Sequence, residues 1–110
     1  MRNTILTPTI IQDNITREVY MLGYSNKESL RKTKKTGFVW FYSRRRKKLW
    51  MKGEESGNKL KIVSVYSDCD NDTILIKVTL IGTNVCHTGK KTCFNSELLV
   101  GSFDRLRMTQ

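Results

Sequence analysis

Between Asp68 and Phe94 the chain concentrates side chains that bind metals: Asp68-Cys69-Asp70-Asn71-Asp72, then Cys86-His87-Thr88-Gly89-Lys90-Lys91-Thr92-Cys93-Phe94. All 3 cysteines and the 1 histidine of the 110-residue sequence lie in this stretch. Three thiolates, Cys69, Cys86 and Cys93, suit an open zinc site in which a fourth position is left for water, whereas a structural site is closed by four ligands. His87 is a candidate to close it. Adjacent residues rarely reach one tetrahedral ion together, so a proton-transfer role for His87 is favoured over ligation. Buried cysteines of no chemical consequence are the competing reading. The spacing lacks the Cys-x-x-Cys pairs of zinc ribbons and fingers.

Asp68, Asp70 and Asp72 alternate. In an extended segment they would share one face, with Cys69 on the other, giving hard oxygen donors for magnesium beside a soft thiolate for zinc. The start resembles a calcium-binding EF-hand loop, but Thr73 stands where that loop has glycine and Thr79 where it has its closing glutamate. A solvated acidic turn is the alternative for these aspartates.

The elements that must position these groups read mostly as strands. Leu6 to Gln12 and Val19 to Tyr24 are apolar and β-branched or aromatic around the polar Asp13-Asn14, which predicts a hairpin with Pro8 at its edge. Ser25-Asn26-Lys27-Glu28 has capping-box spacing and Gly37 supplies a stop, predicting a helix of about three turns with Lys32, Lys34 and Lys35 toward its C-terminal end. Strands follow at Phe38 to Ser43, Leu49 to Lys52, Lys61 to Tyr66 and Thr73 to Leu80. The expected fold is mainly β (β-rich α+β), a partly open barrel-like sheet with one short helix. The turn Arg44-Arg45-Arg46-Lys47-Lys48 is either a phosphate clamp or a solvated loop.

A chain of this length makes one domain, with hydrophobic residues at 38%. Its formal net charge of +10 implies an anionic partner. Met1 to Asn14 holds no apolar run of signal-peptide length and no segment approaches membrane-spanning length, so no membrane partner and a cytoplasmic location are expected. A zinc-stabilised nucleic-acid module is the rival class. It is disfavoured because Asp68, Asp70 and Asp72 would repel a phosphate backbone.

Asp-Cys-Asp-x-Asp followed by Cys-His-Thr-Gly-x-x-x-Cys-Phe resembles the phosphoribosyl-AMP cyclohydrolase family of histidine biosynthesis. The likeness extends upstream, in the family's order, through Pro8 to Asp13, Met21-Leu22-Gly23-Tyr24-Ser25-Asn26, Val39 to Arg44, Leu49 to Glu54 and Ser56-Gly57-Asn58. Domain boundaries implied are residues 1–94 for the enzyme unit, with 95–110 a tail outside the resemblance. The resemblance implies an intertwined homodimer, with zinc shared between Cys69 of one subunit and Cys86 and Cys93 of the other. It also implies magnesium on Asp68, Asp70 and Asp72, and hydrolytic opening of the adenine ring of a phosphorylated nucleotide, with His87 as the catalytic candidate. Arg44, Arg46 and Lys52 are the matching candidates for phosphate, and Trp50, Glu54 and Ser56 for the base or ribose. Arg45, Glu55, Leu60 and Gly82-Thr83-Asn84-Val85 depart from the family pattern. They bear on substrate contacts, not on the proposed metal ligands.

Overall fold

The computed structural model describes residues 5–98. Their elements run β1 (Thr7–Asp13), β2 (Val19–Ser25), α1 (Lys27–Thr36), β3 (Trp40–Ser43), β4 (Lys48–Met51), β5 (Lys59–Ser67) and β6 (Ile74–Ile81). Of the segment 95–110, only Asn95 to Leu98 fall within the described residues; the packing role considered for Leu99, Val100, Phe103 and Leu106 lies outside them.

The expected hairpin is present. β1 and β2 pair antiparallel from Thr7↔Ser25 to Gln12↔Val19, with a register shift between Ile11 and Gln12. Asp13 closes it: its Oδ2 accepts from the Ile15 amide at 2.9 Å and the Thr16 amide at 2.7 Å, and its Oδ1 from the Tyr20 hydroxyl at 3.0 Å. Sequence-distant pairing then builds the sheet in the order β2-β1-β6-β5. β1 runs parallel to β6 and β5 antiparallel to it. β3 and β4 form a separate antiparallel ribbon. It is tied to β5 by a bridge between Phe38 and Lys61, and the sheet stays open instead of closing into a barrel.

The side chains that face inward along alternate strand positions make the core: Ile11, Tyr20, Val39, Phe41, Leu60, Ile76 and Val78 are all essentially inaccessible. Leu60, a departure from the family pattern, is therefore a core residue. The helix forms as expected but its cap is shifted by one. Asn26 Oδ1 accepts from the Ser29 amide at 2.8 Å, and Ser29 Oγ accepts from the Asn26 amide at 2.9 Å. Ser25, the expected cap, is the last residue of β2, and its hydroxyl is engaged with that of Thr9 at 2.7 Å. Gly37 ends the helix in the left-handed conformation. Thr33 then joins helix to ribbon, accepting from the Trp40 amide at 2.9 Å.

Burial of Tyr20, aided by its hydrogen bond to the Asp13 carboxylate, pushes the phenol from 10.0 up to about 12. The unfolded chain releases this proton first, so the stabilisation is complete below pH 10 and is lost as pH rises toward about 12. Urea midpoints of the wild type are expected to fall across that window, with Tyr20→Phe giving a flatter alkaline limb. Parallel declines in the two proteins would remove Tyr20 as the cause.

Candidate active site

The thiol loop begins where β6 ends. At Gly82 a Cβ would lie 2.1 Å from Asn58 Oδ1, so only glycine lets the chain pass this close. Asn58 Oδ1 accepts from the Thr83 amide at 3.0 Å, pinning the loop after β6 to the loop after β4. The chain then folds into a tight turn. Val85 and Cys86 amides donate to Lys91 and Lys90 carbonyls, and the Gly89 amide returns to the Cys86 carbonyl at 3.0 Å. Asn84 Nδ2 supports that carbonyl at 3.1 Å. The far limb docks on β2, with the Cys93 amide donating to Tyr20 O at 2.8 Å and Thr92 Oγ1 to Val19 O at 2.7 Å.

This turn brings Cys86 and Cys93 together with opposite acidities. The Cys86 thiol is lowered, foremost by the Thr88 hydroxyl 3.0 Å from its sulfur, with help from the Thr88 amide. Desolvation raises Cys93, a charge on Cys86 raises it further, and the Lys52 ammonium partly opposes both. The Cys86 thiol is thus set to ionise before the Cys93 thiol, and its charge discourages the second. His87 stands exposed between Cys86 and Thr88, with no hydrogen bond from its side chain among the described residues.

The acidic segment corrects one expectation. Residues 68–72 are not extended but form the β5–β6 turn, with Asn71 at φ 59. Asp68 Oδ1 accepts from the Asp72 amide at 3.0 Å and the Thr73 amide at 3.3 Å, which holds this carboxyl below its usual range. Alternation therefore does not sort the aspartates to one face and Cys69 to the other. Cys69 is exposed on this turn. Among the described residues of one chain, no three histidine, cysteine or acidic side chains converge as a metal-holding set.

The substrate candidates divide between two hollows that share Trp50. A cleft of about 570 Å³ is lined by Leu22, Tyr24, Tyr42, Arg44, Arg45 and Trp50 over a floor that includes Phe41. The Arg44 guanidinium lies 4.0 Å from the centre of the Tyr24 ring, a cation–π contact that holds the charge at the cleft. A smaller hollow of about 220 Å³ is lined by Arg46, Trp50, Glu54, Glu55 and Ser56. Trp50 also packs on Phe41 at 5.4 Å between ring centres, so it serves both core and cleft. Lys52 lines neither hollow; its charge acts at Cys93. Glu54 Oε1 accepts from the Met51 amide at 3.2 Å, which commits part of that carboxylate to its own loop.

Thr88, Asn95 and Tyr24 are site residues that the sequence reading did not single out. Thr88 carried a usable signal, a hydroxyl two residues beyond a candidate ligand. Tyr24 carried none, because its role depends on β2 lying beside the β3–β4 turn.

A thiol pair on a pinned loop and a cationic, aromatic-walled cleft on one small open sheet define a β-rich enzyme domain. The profile of the phosphoribosyl-AMP cyclohydrolase family matches residues 21–95. A phosphoribosyl-AMP cyclohydrolase of Listeria innocua is 56% identical over 81% of this chain and 84% of its own length. One from Nitrosopumilus maritimus is 55% identical over 84% of this chain and 85% of its own. A histidine biosynthesis bifunctional protein of Bacteroides thetaiotaomicron is 56% identical over 84% of this chain, which spans 45% of that larger protein. The chain belongs to the phosphoribosyl-AMP cyclohydrolase family. No helix among the described residues is long and apolar enough to cross a membrane.

Proposed function

We propose that this enzyme opens the adenine ring of 1-(5-phosphoribosyl)-AMP by hydrolysis between nitrogen 1 and carbon 6, in histidine biosynthesis, as a cytoplasmic, zinc- and magnesium-dependent homodimer. The observation that carries the reading is the meeting of Cys86 and Cys93 on one turn of a chain whose residues 21–95 match the family and whose open sheet also carries a cleft lined by Arg44 and Arg45. The donor chemistry fits zinc: two thiols lie together, and a third, Cys69, sits exposed on a separate turn where a second copy of the chain can use it. Zinc bound by these residues supplies Lewis acidity that makes water a competent nucleophile near neutral pH.

Asp68, Asp70 and Asp72 offer the hard oxygens that magnesium requires, with Asp68 Oδ1 already engaged by the Asp72 and Thr73 amides. In the reaction the water oxygen bonds to carbon 6, the bond from carbon 6 to nitrogen 1 breaks, and nitrogen 1 gains a proton. The product is the formimino-aminoimidazole carboxamide ribotide. His87, exposed next to Cys86 in the chain, is the candidate to move that proton. Arg44 and Arg45 at the cleft and Arg46 at the smaller hollow face a substrate that carries two phosphates, with Trp50 offering its ring to the base between them.

The test is an ultraviolet assay of ring opening on purified protein, before and after chelation, with zinc and magnesium restored separately. Turnover that disappears with the chelator and returns with the metals is expected. A folded, zinc-loaded dimer that leaves phosphoribosyl-AMP unchanged would overturn the proposal.

A further inference from the structure

Two side chains bring hydrogen-bond donors to the Cys86 sulfur. Thr88 Oγ1 lies 3.0 Å away, and Asn95 Nδ2 approaches at 3.9 Å while also donating to Thr92 O at 2.8 Å. Cys86 itself is largely buried, at 7% exposure. An ionised sulfur carries no proton, which makes Thr88 the donor in that pair. Its hydroxyl then forms a charge-assisted bond of the stronger kind. Three thiolates on one cation would donate so much charge that they blunt its acidity toward water. Donors on a sulfur draw part of that charge back.

We propose that Thr88, supported by Asn95, is a positioning residue that fixes the Cys86 sulfur and withdraws charge from it, tuning the thiolate as a metal ligand. This rests on the zinc reading above and deepens it. Asn95 sits at the end of the family match, so this arrangement is assembled from the turn and the segment that follows it.

The experiment replaces zinc with cobalt(II), whose sulfur-to-metal charge-transfer absorption reports directly on the electron density of the thiolates. A hydrogen bond stabilises the sulfur lone pairs, so its loss lets charge transfer occur at lower energy. Thr88→Val is expected to move the band to longer wavelength and to lower zinc affinity, measured by competition with a chromophoric chelator, by about tenfold or more. Thr88→Ser, which restores the hydroxyl, is expected to recover both values, and Asn95→Ala to give a smaller shift in the same direction. A folded Thr88→Val protein whose band stays at the wild-type wavelength overturns the inference, even with weaker affinity, because a merely structural role lowers affinity without moving the band. No cobalt–thiolate band in the wild type overturns the zinc reading and this inference together.

Discussion

Cys86→Ser is expected to lose ring-opening activity by well over the ~10–100-fold that removal of a supporting partner costs at a metal site. Serine keeps the shape but does not ionise near neutral pH, so the turn would keep one thiol, Cys93, where it now has two. Steady-state rates and zinc content should fall together while the far-ultraviolet spectrum stays unchanged. Wild-type turnover in Cys86→Ser would exclude this thiol from the chemistry. A mixing experiment sharpens the point, because Cys69 and Cys86 belong to different subunits in the proposed site. Cys69→Ser and Cys86→Ser are each expected to be inactive. Co-refolded in equal amounts, they should regain about a quarter of wild-type activity, because half the dimers are mixed and one of the two symmetric sites in each is intact. Continued inactivity of the mixed sample, with mixed dimers demonstrated, would place all three cysteines in another arrangement.

Phe41→Ala is expected to cost about 3–5 kcal/mol of stability, a large fraction of the roughly 5–15 kcal/mol that separates folded from unfolded domains. The residue is 1% exposed, packs at a tilt against Trp50 and floors the cleft. Its fit is close on the other side as well: a Cβ at Gly23 would lie 2.6 Å from the ring, so β2 and β3 approach as near as a glycine allows. Removing the ring leaves a void that neither strand can close without breaking its ladder, and frees Trp50 from its support. A fall in the urea midpoint is expected, with KM rising in the protein that remains folded. An unchanged midpoint would mean that the strands collapse onto the missing ring.

The hairpin, the helix and its stop at Gly37 were legible because their signals are local: β-branched runs around a polar turn, and capping-box spacing followed by a glycine stop. The helix cap was misread by one residue because two polar side chains stood in a row. Only the fold shows that Ser25 is committed to Thr9, leaving Asn26 to cap. The acidic segment was misread for a related reason. Alternation predicts one face only if the backbone is extended, and Asp68 instead folds the segment back by accepting two of its amides. The cysteines stood out as candidate metal ligands from residue type alone, and the fold brings two of them, Cys86 and Cys93, together on one turn. The seating of Arg44 on Tyr24 did not stand out, since no pattern in either stretch records that the two meet.

The parallel pairing of β1 with β6 joins Thr9 to Ile74, so the central ladder of the sheet links the beginning of the described chain to a strand made near its end. During synthesis the first hairpin leaves the ribosome long before its partner exists. The helix and the β3–β4 ribbon can form meanwhile from local contacts, but the sheet cannot be completed until β6 emerges. Closing so long a loop carries an entropic cost that is recovered only when the last strand docks. Folding of this enzyme is therefore expected to be late and concerted, with the thiol loop, which follows β6 directly, assembled in its final step.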